Sequence, residues 1–295
     1  MTSTNRPTIL SFLVAGLLLM ACSRATDRPA APATPQRIIS VVPNATEILF
    51  ALGVGNRVIA VGDYDKYPPE VETLPRIGGL LNPNIEKIIE MRPDLMIMYV
   101  SQDVLRERLG ALGIRLHPFT HGNVEHSLAD IIEMGKTVGA EARGREIVGR
   151  IRETFDELRK TAPAVKPTVL LVHNRGAGLL GSFYSVGSKA FQSELIDIAG
   201  GRNVFSDLDR EILEPSLEEV IRRGPEVVIE TIPSPASAAD IAQREKDWQT
   251  LSKLPAVTHR KVHVVAEDYM LVPGPRLDLA AMKFAQLIRG GGANP

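Results

Sequence analysis

The chain has 295 residues, with 34 Lys and Arg against 35 Asp and Glu and a net charge of −1. Its basic residues are dispersed, which excludes the concentrated cationic footprint of a nucleic-acid binder. A hydrophobic fraction of 44% marks a well-packed globular protein, and a single cysteine excludes an internal disulfide.

The first segment carries Arg6, the apolar stretch Ile9–Met20 and then Ala21-Cys22. A weakly basic start, a short apolar core and a small residue before a cut site predict a secretory signal over 1–21, too short for a mature membrane span. Leu19-Met20-Ala21-Cys22 resembles the lipobox of bacterial lipoproteins, so Cys22 is the expected acylation site. A plain cleaved signal with an incidental cysteine is the alternative. Residues 22–36 are rich in Ala, Pro, Thr and Arg without an apolar period, which predicts a flexible tether. From Arg37 about 255 residues remain, enough for two lobes of ordinary size.

Over 37–138 the pattern alternates strand and helix. Ile38–Val42 is a predicted strand, and Asn44 with Glu47 is expected to cap a helix closed by Gly53. Val58–Val61 is the next strand, followed by a loop to Gly79 with its Tyr67-Pro68-Pro69 turn. Then comes Asn82-Pro83-Asn84-Ile85-Glu86-Lys87-Ile88-Ile89-Glu90, with Arg92-Pro93-Asp94 and the apolar run Leu95–Met98. A helix around Leu105–Leu112, a strand Leu116–Phe119 and a helix opened by Ser127 and Asp130 complete the lobe. Such alternation predicts a parallel α/β sheet.

Residues 139–163 change character. Ile147, Ile151, Phe155 and Leu158 recur at helical spacing amid Arg and Glu until Pro163. A helix from Glu141 to Lys160 would be about 30 Å long, the diameter of a small lobe. A strut between two lobes fits this length; a surface helix of the first lobe is the alternative.

The second lobe, 164–290, repeats the first. Glu214-Pro215-Ser216-Leu217-Glu218-Glu219-Val220-Ile221-Arg222, then Gly224-Pro225-Glu226 and Val227–Ile229, matches the earlier segment at one offset of 132 residues, from Pro83 to Pro215. Asn84 and Ser216 are good N-caps, and Ser216 with Glu219 has the spacing of a capping box. Glu86 and Glu218 thereby occupy the same place in matched helices. Strands Thr168–Val172 and Val262–Val265 and helices Lys189–Ile198 and Leu277–Ile288 fill out the lobe. The fold class predicted is α/β, two Rossmann-like lobes with parallel sheets on one long backbone helix and a ligand cleft between them.

In this order, Ser40-Val41-Val42-Pro43-Asn44-Ala45-Thr46-Glu47, Tyr67-Pro68-Pro69, Leu74-Pro75-Arg76-Ile77-Gly78-Gly79, Asn84-Ile85-Glu86, Ala199-Gly200-Gly201 and Pro275-Arg276 resemble the substrate-binding proteins of bacterial iron-siderophore, haem and vitamin B12 ABC importers. The resemblance covers nearly the whole mature chain and is greatest to the vitamin B12 branch. Tyr64 matches a tyrosine of that branch's corrinoid pocket, Tyr99 falls at an aromatic position, and Asp268-Tyr269 stands where the branch has Asp-Trp. Two pocket tryptophans correspond to Leu80 and Ile212 here.

The resemblance implies an exported, monomeric, lipid-anchored binding protein that captures a corrinoid or related metal chelate, with ferric siderophore and haem as alternatives. It implies no resident cofactor and no catalysis. Its partners would be the importer's membrane subunits, engaged by Glu86 and Glu218; a bland alternative is that each carboxylate complements its helix dipole. Expected ligand contacts are Tyr64 and Tyr269 first, then Tyr99, Arg276, His173 and Arg175. These, with Phe183 and Tyr184, lie at loops after strands or near the lobe junction, where open α/β sheets bind ligands.

Two other chemistries have weaker support. Gly176-Ala177-Gly178-Leu179-Leu180-Gly181 satisfies the dinucleotide fingerprint by letter, yet Ser182–Gly187 interrupts the required strand-to-helix turn. An exported nucleotide enzyme is therefore a rival, not the reading. His117, His121 and His126 suggest a zinc or manganese carrier but have no acidic partner at a compelling interval, so no metal site is assigned.

Overall fold

Two runs of strand and helix build two lobes of the same topology. The computed structural model describes Met1 and residues 34–290, except 81, 102 and 179; Cys22, the signal segment and most of the tether lie outside the described residues. The first lobe comprises β1 (Ile38–Ser40), α1 (Pro43–Ala51), β2 (Val58–Val61), α2 (Ile85–Glu90), β3 (Leu95–Tyr99), α3 (Asp103–Gly110), β4 (Arg115–Phe119) and α4 (Val124–Val138). Its sheet is parallel in the order β2-β1-β3-β4. Ile38 pairs with both Val58 and Leu95, and these central strands are covered on both faces, as their unbroken apolar runs predict.

After α5 (Glu141–Lys160) come β5 (Thr168–His173), β6 (Ser185–Val186), α6 (Phe191–Ile198), β7 (Arg202–Asn203), β8 (Ile212–Leu213), α7 (Leu217–Arg223), β9 (Val227–Thr231), α8 (Ala238–Gln249), α9 (Pro255–Thr258), β10 (Val262–Val265) and α10 (Leu277–Arg289). The second sheet is ordered β10-β9-β5-β7. Read from β7, that is second, first, third and fourth strand, the arrangement of the first lobe. A short antiparallel pair, β6 with β8, lies beside it.

The strut has the predicted bounds. Its buried stripe of Ile147, Val148, Ile151 and Phe155 packs on α4 and α10, so one core runs from the first sheet through α5 to the inner face of the second. Gly139, at φ 74, ends α4 in the left-handed conformation and turns the chain into α5. Strand alternation sends Val169 and Leu171 into this core, while Leu170 and Val172 join a second cluster around Trp248, Phe183 and Phe205. Among the described residues no helix is long and apolar enough to cross a membrane.

Two expected caps are corrected. α1 opens at Pro43 without a side-chain cap; Asn44 and Glu47 are buried, Asn44 donating to the Pro273 carbonyl and Glu47 pairing with Arg276. α4 begins at Asn123, whose side chain accepts the His126 N–H, rather than at Ser127. The α2 and α7 caps form as expected, Asn84 accepting from Lys87 at 3.0 Å and Ser216 from Glu219 at 3.2 Å. The Glu219 carboxylate, however, binds Arg222 and Arg223 rather than turning back to Ser216.

Candidate functional site

The carboxyl ends of both sheets face one cleft. Two adjoining cavities occupy it, of about 1020 Å³ and 390 Å³, and both are lined by Leu271. In the larger, the loop after β2 (Asp63, Tyr64, Asp65, Lys66) faces Ile232–Pro235 after β9. In the smaller, His121 and Gly122 of the first lobe face His173, Tyr184, Phe191 and Ile212 of the second.

Tyr64 is 67% exposed in the larger cavity, so a ring face is open to a ligand. Its loop is nonetheless held in place. The Arg76 guanidinium donates to the carbonyls of Gly62, Asp65 and Val71 at 2.7, 2.6 and 3.1 Å, pinning the chain on both sides of the tyrosine. Such preorganisation lowers the ordering that binding must impose.

Tyr99 stands one layer back. It stacks on His121 at 4.6 Å and meets Phe119 edge-on at 6.2 Å, and burial pushes its phenol up to about 12. His121, considered in the sequence only for a metal, is thus the wall residue and Tyr99 its support. Tyr269 is half-buried against the main core, with the Arg276 guanidinium 5.6 Å from its ring; its neighbours Asp268 and Leu271 line the larger cavity.

His173 is held in one tautomer by its surroundings. Its Nδ1 lies 2.8 Å from the Thr231 hydroxyl, which donates its own proton to the Val172 carbonyl. With the hydroxyl donating to Val172, Nδ1–H donates to Thr231 and the lone pair sits on Nε2. Nε2 is buried and has no hydrogen-bond partner among the described residues, and burial lowers the ring's pKa to about 4, so it stays neutral. A buried acceptor left unmatched costs about 1–3 kcal/mol, and it belongs to a residue lining the smaller cavity.

Two expected ligand residues are corrected. Arg175 has a fully buried side chain that donates to Glu230 at 2.8 and 3.0 Å and to Asp247 at 2.9 Å. Asp247 also accepts the Gly178 N–H, so this network fastens the glycine-rich loop to α8. Arg276 donates to Glu47 at 2.6 and 2.8 Å and to Asp268 at 3.0 Å, and lies 3.7 Å over the Tyr67 ring. It ties the segment before α10 to α1 of the other lobe instead of facing the cleft.

Burial of that tie outweighs its pairing and raises Glu47 from 4.5 to about 7. Between those values the native protein holds a proton that the unfolded chain has lost, so the Glu47 contribution to stability falls as pH rises through the window. Glu47→Gln, which does not titrate, should gain on wild type by on the order of 2 kcal/mol between about pH 5 and pH 8. Denaturant melts at both pH values check this; an unchanging difference sinks it.

The glycine motif does not open a helix, since β6 intervenes before α6 starts at Phe191. His117 and His126 bind Thr137 and Thr120, and among the described residues no group of His, Cys, Asp or Glu is placed to hold a metal ion. Tyr184 and Ile212 emerge as wall residues through pairing. The His173 and Tyr184 backbones bridge, and Val186 pairs with Ile212. Ile212 had only a marked position in the resemblance as a signal, and Tyr184 only its place in a loop.

Glu86 and Glu218 are exposed, and neither forms an ion pair among the described residues.

A two-lobed α/β protein on one long helix, with a cleft where both sheets end, is built to hold a solute between its lobes. The periplasmic binding protein model matches residues 38–269, and the chain belongs to that family. It is 30% identical to a vitamin B12-binding protein of Pectobacterium carotovorum subsp. carotovorum (strain PC1), over 86% of this chain and 88% of that one. It is 26% identical to YvrC of Bacillus subtilis (strain 168), an uncharacterized ABC transporter substrate-binding lipoprotein, over 86% and 80%. Its fold matches the periplasmic heme-binding protein RhuT from Roseiflexus sp. RS-1 in apo form, with a TM-score of 0.71, 24% identity and coverage of 86% and 99%.

Proposed function

We propose that this protein is the substrate-binding component of an ABC importer, capturing a corrinoid or related metal chelate in the inter-lobe cleft and releasing it to the membrane subunits. It binds and does not catalyse. The observation that carries the reading is the cleft itself, with an exposed aromatic face at Tyr64, an apolar wall at Tyr184 and Ile212, and an unmatched acceptor at His173. Aromatic and apolar surface with few polar anchors suits a large planar chelate. The vitamin B12-binding relative and the haem-binding neighbour support the same ligand class.

Absorbance titration with cobalamin, haem and a ferric siderophore tests the reading. One of the three should give a saturable spectral change; if none does and zinc or manganese alone raises the melting temperature, the chelate reading falls. Tyr64→Ala should weaken binding about tenfold without shifting the melt, because it removes a stacking face from an exposed ring. His173→Phe keeps a buried ring but removes the acceptor, and should weaken binding by about fivefold.

An anchor at Cys22 completes the proposal, supported by the lipobox resemblance and the lipoprotein relative. It sets the protein at a membrane surface outside the cytoplasm. Fatty-acid labelling of the wild type, absent in Cys22→Ser, is the expected result; an unlabelled wild type refutes it.

A further inference from the structure

Asp65 follows the exposed Tyr64 in the loop after β2 and lines the larger cavity. It is 1% exposed, and neither carboxylate oxygen has a hydrogen-bond partner among the described residues. The donors beside it are engaged elsewhere. The Thr46 hydroxyl donates to Ser40 Oγ at 2.8 Å, the Gly62 N–H to the Ser40 carbonyl at 3.0 Å, and the Arg76 guanidinium to three backbone carbonyls. Burial outweighs these neighbours and raises the Asp65 pKa to about 6, so at neutral pH the group is largely ionised. A buried charge without a donor destabilises the folded chain. The loop does not depend on it, since Arg76 already pins the chain on both sides of Tyr64.

The wall around Asp65 is acidic. Asp63, Asp65, Glu72 and Asp268 line the larger cavity against Lys66 and Arg76. Of the four carboxylates only Asp268 has an ion pair among the described residues, with Arg276 at 3.0 Å. The facing segment, Ile232–Pro235, contributes no charge, and the smaller cavity adds Glu211. Between low-dielectric walls, an excess of one sign repels a ligand of that sign.

We propose that Asp65 is a specificity residue that accepts an N–H or O–H from the rim of the chelate, and that the acidic wall selects chelates with an uncharged, carboxamide- or hydroxyl-bearing rim over those edged by carboxylates or phenolates. This rests on the chelate reading and narrows it. A corrinoid, edged by carboxamides, supplies the missing donor. Haem, with two propionates, and a ferric tricatecholate, with three negative charges, leave Asp65 unmatched and bring like charge against the wall. The same carboxylate thus favours one rim and penalises the other.

Equilibrium titration of the purified protein at pH 7.5 with cyanocobalamin, a neutral ferric trihydroxamate, haem and a ferric tricatecholate tests this. The tightest ligand should be one of the two uncharged chelates, with both anionic chelates weaker on the order of a hundredfold. Asp65→Asn keeps the shape and removes the charge. It should weaken the uncharged chelate about fivefold and tighten haem by a similar factor, narrowing the preference more than tenfold while the melting temperature holds or rises. Asp63→Asn, at an exposed position of the same wall, should narrow it about threefold and serves as the test if Asp65→Asn does not fold. An anionic chelate bound tightest overturns the proposal, as does a preference that neither variant changes, or parallel loss of all affinities with a lowered melt; the chelate reading survives each of these. If none of the four chelates binds, that reading falls and this inference with it.

Discussion

Glu230→Ala should melt on the order of 10 °C below wild type. Glu230 lies on β9, in the interior of the second sheet, and is fully buried. Its carboxylate accepts from Arg175 at 2.8 and 3.0 Å, from Arg244 at 2.8 Å and from the Trp248 indole at 2.7 Å. Truncation leaves two guanidiniums and an indole N–H facing a cavity, and breaking a buried pair from one side costs about 3–5 kcal/mol. In a protein of this size each kcal/mol moves the midpoint by about 2–4 °C. Glu230→Gln, which keeps the volume and some acceptors, should fall between the two. Chelate affinity measured below the transition should be nearly unchanged. A normal melt with lost affinity would return Arg175 to the ligand-binding set.

Reversing both exposed glutamates, Glu86→Arg with Glu218→Arg, should reduce chelate uptake by at least a hundredfold and leave capture intact. Neither residue lines the two cleft cavities, so the affinity of the purified protein should hold. On the docking that the family resemblance implies, two cations would meet a cationic partner, turning attraction into repulsion at both contacts, and like-charge juxtaposition costs several kcal/mol. Uptake by whole cells, set against absorbance titration of the same variant, separates the two effects. Equal loss in both assays would move the glutamates into the site.

The parts of this molecule that are local in sequence were legible there. Asn84 and Ser216 start their helices because a side-chain oxygen can reach an N–H three residues on. The strut was legible because its buried stripe repeats at the helical period. α8 was not read from the sequence, and its composition explains why. Besides Trp248, its buried residues are Arg244 and Asp247, so it has almost no apolar period and is held by ion pairs instead.

The candidate site divides along the same line. The repeat at one offset, the α/β class and the places of Glu86 and Glu218 follow from sequence alone, because each depends on neighbours within one turn or one strand. Tertiary structure decided the arginines. Arg175 finds Glu230 55 positions away and Arg276 finds Glu47 229 positions away, and only the meeting of these groups turns two apparent ligand contacts into internal ties. It also decided the partner of His173 Nδ1, a threonine on the adjacent strand. A charged side chain looks the same in sequence whether it faces a cleft or a buried partner. The low dielectric of the interior, which makes an unpaired charge so costly, selects between them only once the chain has folded.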